Sequence, residues 1–122
     1  MDKEKNLLVD VISILPNEID LFINAPSLED EMILRMWNAT IEYDFDNVIK
    51  INNTNKEIFL NRIKSYSIAG ELHAIQIRQN GKLLFESWDG IECGVLSNTL
   101  LIPDWFKEKY IQNEDCEISD SW

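Results

Sequence analysis

Histidine occurs once, cysteine twice, proline three times and glycine four times in these 122 residues, and each scarcity closes off a class of chemistry. The four glycines form neither a G-x-G-x-x-G fingerprint nor a P-loop, so an ordinary nucleotide enzyme is not expected. His73, Cys93 and Cys116 are three soft ligands where a structural zinc wants four, and the cysteines lack C-x-x-C spacing. The same spacing predicts no disulfide in a reducing compartment. G-x-S-x-G is absent, and Asp44-x-Asp46 fails as the start of a calcium loop. There Val48 takes a ligand place, Ile49 the glycine place and Asn55 the bidentate glutamate place. No metal or cofactor is expected.

Long apolar runs are missing as well. No window approaches the roughly 20 apolar residues of a membrane span. At the N-terminus Asp2, Lys3, Glu4 and Lys5 balance one another, and Asp10 and Ser13 interrupt the run from Leu7 to Leu15, so no secretory signal is read. A cytoplasmic chain without membrane contact is the expectation. With 45% hydrophobic and 10% aromatic residues, the chain has the material for one core, and residues 1–122 read as a single domain.

The other shortage is of positive charge. Against 22 acids stand 11 Lys and Arg, for a net charge of −11 and a pI near 4.4. Such a surplus repels phosphate backbones, which argues against direct nucleic-acid binding and in favour of a basic protein partner. The surplus is uneven. Residues 10–46 hold nine acids and only Arg35, residues 50–82 hold six bases and two acids, and residues 83–122 hold nine acids and two bases.

Hydrophobic spacing predicts an α+β fold, in which three or four helices pack against an antiparallel sheet. Leu7, Leu8, Val11, Ile12 and Leu15 lie on one helical stripe that Pro16 ends, although their β-branched share leaves a strand open. Ile19–Asn24 reads as a strand. Ser27 is placed to cap a helix whose first turn holds Glu29, Asp30 and Glu31 and whose buried stripe runs from Leu28 to Trp37. Ile41, Tyr43 and Phe45 alternate with Thr40, Glu42 and Asp44, which predicts one half-exposed strand with an acidic wet face. Thr54 and Glu57 match a capping box opening a helix over 55–67, with Phe59, Ile63 and Tyr66 inward, Lys56, Arg62 and Lys64 solvated and Gly70 as its stop.

Asn80-Gly81 is the sharpest local signal, because both central residues of a type I′ turn need positive φ. It predicts a hairpin 71–79/82–88 with Ile77 opposite Leu84, Ile75 opposite Glu86 and His73 opposite Trp88. Asp89-Gly90 then reverses the chain into a third strand over 92–96. Pro103 suits the first position of a short helix through Trp105, Phe106 and Tyr110, with Trp105 and Phe106 read as packing into the core. Residues 112–122 hold four acids and no base, and read as an acidic C-terminal tail.

Carboxylates on strands and turns are freer to meet a partner than those at helix caps. The partner-binding candidates are therefore Glu42, Asp44, Glu86, Asp89 and Glu92, with Trp88 as an aromatic anchor. The run Gly81-Lys82-Leu83-Leu84-Phe85-Glu86-Ser87-Trp88-Asp89-Gly90, with the small size and the acidity, resembles bacterial immunity proteins of the contact-dependent-inhibition and polymorphic-toxin type. The resemblance implies an inhibitory binder that neutralises a cognate basic toxin, often a nuclease, by charge complementarity and without a catalytic residue. Two alternatives are an acidic DNA mimic of the anti-CRISPR kind and a small enzyme built on His73.

Overall fold

The computed structural model describes residues 3–122. Seven strands form one mostly antiparallel sheet with four helices, an α+β fold. In chain order the elements are α1 (Lys3–Ile14), β1 (Ile19–Asn24), α2 (Glu31–Met36), β2 (Trp37–Glu42), β3 (Phe45–Ile51), α3 (Lys56–Ser65), β4 (Ala74–Gln79), β5 (Lys82–Trp88), β6 (Cys93–Leu96), α4 (Asp104–Phe106) and β7 (Cys116–Ile118). α4 continues into a wide π-type turn over Lys107–Ile111. Across the sheet the strands run β2-β3-β1-β4-β5-β6-β7, and only the last pair is parallel. Among the described residues, no helix is long and apolar enough to cross a membrane.

The period-two rule sorts the two faces of the sheet. Odd-numbered residues of β1, β3 and β4 (Leu21, Ile23, Ile49, Ile75 and Ile77) point to the helices and meet Leu7, Leu8, Val11 and Ile12 of α1 and Phe59 and Ile63 of α3. All are nearly or wholly buried, and each is worth about 1.5–3 kcal/mol of transfer free energy. Among the described residues, the other face carries no helix. A small cluster of Phe22, Phe45 and Val48 covers part of it, with Ala74 against it and Tyr43 standing edge-on to Phe22 at 5.1 Å. Arg78 lies 3.7 Å above the Tyr43 ring and donates to the Gly81 carbonyl and to Gln76 Oε1, while Gln76 donates in turn to Glu86.

Local signals located the elements better than they set their limits. The cap of α2 is Asp30, not Ser27: its carboxylate accepts from Ile33 N at 3.1 Å and is held by Arg62, and Trp37 already opens β2. The expected strand over 40–45 is instead a reversal. Tyr43 and Asp44 have φ of 55° and 66°, and the chain folds back so that Glu42 pairs with Phe45. The alternation was misleading because Ile41, Tyr43 and Phe45 alternate with polar residues whether the segment runs straight or turns at Tyr43-Asp44.

In α3 the capping box is not used. Asn52 Oδ1 accepts from the Thr54 and Asn55 amides and the Asn52 carbonyl accepts from Lys56 N, so an asparagine turn opens the helix. The helix stops at Ser65, Tyr66 is 55% exposed, and Gly70 lies beyond it in a short 3-10 turn. Two of its bases are engaged rather than solvated. Lys56 Nζ reaches the Leu15 carbonyl and Asn17, and Arg62 pairs with Asp30 at 2.9 Å.

The Asn80-Gly81 turn forms with φ of 52° and 82°. The first two pairs, Gln79 with Lys82 and Arg78 with Leu83, keep the expected register, and then a bulge shifts it by one. Ile77 therefore faces Phe85, Ile75 faces Ser87 and Ala74 faces Trp88, in place of the predicted partners. Leu84 is the extra residue, so Leu84 and Phe85 are both buried. The hairpin's first strand begins at Ala74, and β6 at Cys93 with Glu92 left in the turn. Pro103 precedes α4 as its cap, and Trp105 is 47% exposed rather than buried.

Residues 112–122 are not a free tail. Cys116–Ile118 pair with β6, Cys116 is buried, Ser119 Oγ accepts from the Ser121 and Trp122 amides, and the Trp122 carbonyl accepts from Asn98 N. Lys3 to Asp115 at 3.2 Å ties this segment to α1, and Asp10 with Lys109 and Tyr110 ties down the π-type turn before it.

Candidate functional site

Strand register decides which acids become neighbours. Asn24 of β1 lies beside Ala74 of β4, Ala74 beside Trp88 of β5, and Trp88 beside Cys93 of β6. On the other side, Ile23 pairs with Asn47 of β3, and Asp46 N donates to Asn24 Oδ1 at 3.0 Å. These strand termini form one end of the sheet. Asp44 joins them through its carbonyl, which accepts from Asn24 Nδ2 at 3.0 Å, and the Asn24 carbonyl accepts from His73 N at 2.9 Å. Glu42, Asp44, Trp88, Asp89 and Glu92 thus come to the same end although up to 50 residues separate them in the chain.

Glu86 stands apart, two residues in from Trp88 on the uncovered face and hydrogen-bonded by Gln76 at 3.3 Å. Sequence reasoning missed Asp46, Glu4 and Glu71. The first lay just beyond the strand read over Thr40–Phe45 and was weighed only as a calcium ligand, and the others reach this end only through the packing of α1 and the 3-10 turn at Ala69–Glu71. From Asp46 to Glu92 the row crosses β3, β1, β4, β5 and β6, about 19 Å at the ordinary inter-strand spacing.

The row gathers unpaired carboxylates from several strands at one sheet end. Glu42, Asp44, Asp46, Glu71, Asp89 and Glu92 take part in no ion pair among the described residues. A nearby cation, Lys3, is already paired with Asp115. The hydrogen bond and charge of Asp115 raise its ammonium pKa first, and Glu4 and Glu92 add to the effect. Glu42, Asp44, Asp89 and Glu92 are exposed, and Trp88 beside them is 42% exposed.

Within this end lies an open cleft of about 840 Å³ lined by Glu4, Ser67, Glu71, His73 and Asp89, floored by Gly70 and Gly90. Backbone bonds hold its walls together: Asp89 N donates to the His73 carbonyl at 3.0 Å and Gly90 N to the Leu72 carbonyl at 2.9 Å. The reversal that follows is tight. Asp89, Gly90 and Ile91 all have positive φ, and Ile91, a β-branched residue in that conformation, is fully buried. Burial of its side chain holds a backbone geometry the residue would otherwise avoid, and this fixes where Asp89 and Glu92 stand.

The cysteines differ sharply. Cys93 is exposed beside Trp88, whereas burial pushes the Cys116 thiol up to about 12. Among the described residues no group of His, Cys, Asp and Glu has the geometry to hold a metal ion. What the arrangement supplies is a fixed field: a line of unneutralised carboxylates with an aromatic ring set into it. No protein-family model, no curated protein and no solved structure matches the chain.

Proposed function

We propose that this chain is an inhibitory binding protein of the immunity type, acting in the cytoplasm by covering a cationic surface of a partner, most concretely a nuclease toxin domain. The observation that supports this reading is the unanswered carboxylate row across one sheet end. Exposed ion pairs are each worth only about 0–1 kcal/mol, so a single acid would achieve little. Several on a rigid sheet end raise the local potential together, which speeds encounter with a basic surface and sets its orientation. Trp88 then anchors the contact where water is excluded.

Affinity capture from the native host, followed by association kinetics at increasing salt, tests the proposal. The expected result is a basic partner whose association rate falls steeply with ionic strength. Recovery of no basic partner, or binding indifferent to salt, overturns it. Competition with DNA for the same partner site separates a toxin inhibitor bound beside the nucleic-acid channel from a DNA mimic within it. His73→Ala leaves a binder intact and disables an enzyme that uses the imidazole.

A further inference from the structure

The two outer strands of the sheet are protected unequally. β7 is three residues long and flanked by Glu114, Asp115 and Asp120, with Glu117 within it. β2 is six residues long, pairs with β3 alone, and contains neither proline nor lysine. Met36–Ile41 is an uncharged run in a chain that is 27% charged. Ile41 is 96% exposed, placed outward where a bulge between Ala39 and Glu42 breaks the β3 register, while Trp37–Ala39 pair regularly. Protein edges are ordinarily blunted by lysine, proline, shortness, charge or a bulge; β2 has only the bulge, at its exit, and the regular uncharged stretch before it is the kind of β-prone segment that acquires another strand.

Charge selects the occupant. Arg35 stands at the entry to β2, and Glu42 and Asp44 stand at its exit. Arg35 reaches only Glu31 at 4.0 Å, with both side chains largely in solvent, so it is readily released. A neighbouring β2 running antiparallel sets each Arg35 beside the acidic exit of the other chain, whereas a parallel one aligns like charge with like. We propose that β2 pairs antiparallel with β2 of a second copy of this chain, continuing the seven-stranded sheet across a two-fold axis. The two copies each carry −11, so salt screens their long-range repulsion and strengthens the pairing, opposite to its effect on capture of a cationic partner. Pairing along β2 engages Glu42 and Asp44 of the acidic row but leaves His73, Asp89 and Glu92 uncovered; because the pairing is read on the chain alone, without a cationic partner, this inference and the proposed function fail separately.

Sedimentation velocity of the full chain, from micromolar to millimolar concentration at low and high salt, tests the pairing. A reversible dimer that tightens with salt is expected. Ile41→Lys, at a position that touches almost nothing in the monomer, should weaken it at least about tenfold, because a lysine on an edge resists a second strand. Leu101→Lys alters an equally exposed aliphatic residue away from β2 and should leave the dimer unchanged. Arg35→Glu should weaken pairing, and combining it with Glu42→Arg should restore it. A monomer throughout both salt series, or a dimer that survives Ile41→Lys with native circular dichroism, overturns the inference.

Discussion

The end of the sheet at Asn24, Ala74 and Trp88 and the end at Ile19, Gln79 and Lys82 are made from the same strands, yet they treat charge in opposite ways. At the second end Asp20 is answered, facing Lys50 at 3.7 Å, lying across from Arg78 and having Lys82 in the turn region nearby, while Glu18 beside it takes part in no ion pair among the described residues. At the first, Asp44, Asp46, Asp89 and Glu92 stand without a counter-ion among the described residues. The reversals differ in the same sense. Asn80-Gly81 is a relaxed two-residue turn, whereas Asp89-Gly90-Ile91 needs a buried isoleucine at positive φ to hold its shape. A net charge of −11 is therefore an incomplete description of the surface, since its effect depends on where the unpaired carboxylates gather.

Reversing charge is the strongest way to break this comparison. Lysine at Glu42, Asp89 and Glu92 together should slow association with a cationic partner by about 10- to 100-fold at low ionic strength, measured by stopped flow. Lysine at Glu18 and Asp20 should change it by less than about threefold, because that end contributes little net field. Equal effects at the two ends would remove the distinction.

The acidic end also has a structural root. A Cβ on Gly94, opposite Ser87 in β6, would stand 2.4 Å from the buried Phe85 ring, whereas one on Gly70 meets nothing within 4 Å. Urea unfolding should show Gly94→Ala costing about 1–3 kcal/mol through overpacking, with Gly70→Ala within about 0.5.

Answered and unanswered acids can be separated by pH. Burial alone would raise the Asp30 carboxyl, but Arg62 and the Ile33 amide outweigh it and hold the pKa below the ordinary 3.8. A depressed carboxylate contributes stability above its unfolded pKa and loses it as pH falls through the folded one. Asp30→Ala should therefore cost about 1 kcal/mol at neutral pH, as the loss of a helix cap does, and progressively less in acid. Glu92→Ala should stay within about 0.5 kcal/mol at neutral pH. The mildest test needs no substitution: a thiol reagent should label Cys93 in the native protein and Cys116 only after denaturation, because β7 is docked.

Much of the architecture was legible because it rests on local rules. The Asn80-Gly81 turn, the strand at Ile19–Asn24 and the apolar stripe of α1 are encoded within a few residues of themselves. The bulge after Arg78 was not, because no local rule chooses between Leu84 and Phe85 for the core, and the packing keeps both. The Tyr43-Asp44 reversal was hidden since its residues also satisfy strand alternation. β7 was read as a tail because four acids outweighed a three-residue strand whose stability comes from its neighbour. Of the candidate site, five of the six residues were gathered at one end and Glu86 was not, and Asp46, Glu71 and Glu4 joined by packing alone.

By itself the sequence determined the acid surplus, the α+β class and the turns that punctuate it, since composition and short-range backbone preference are written residue by residue. Tertiary structure alone decided which carboxylates share a surface and which are neutralised. Strand order and register bring together residues that the chain keeps far apart, and electrostatic potential depends on distance in space.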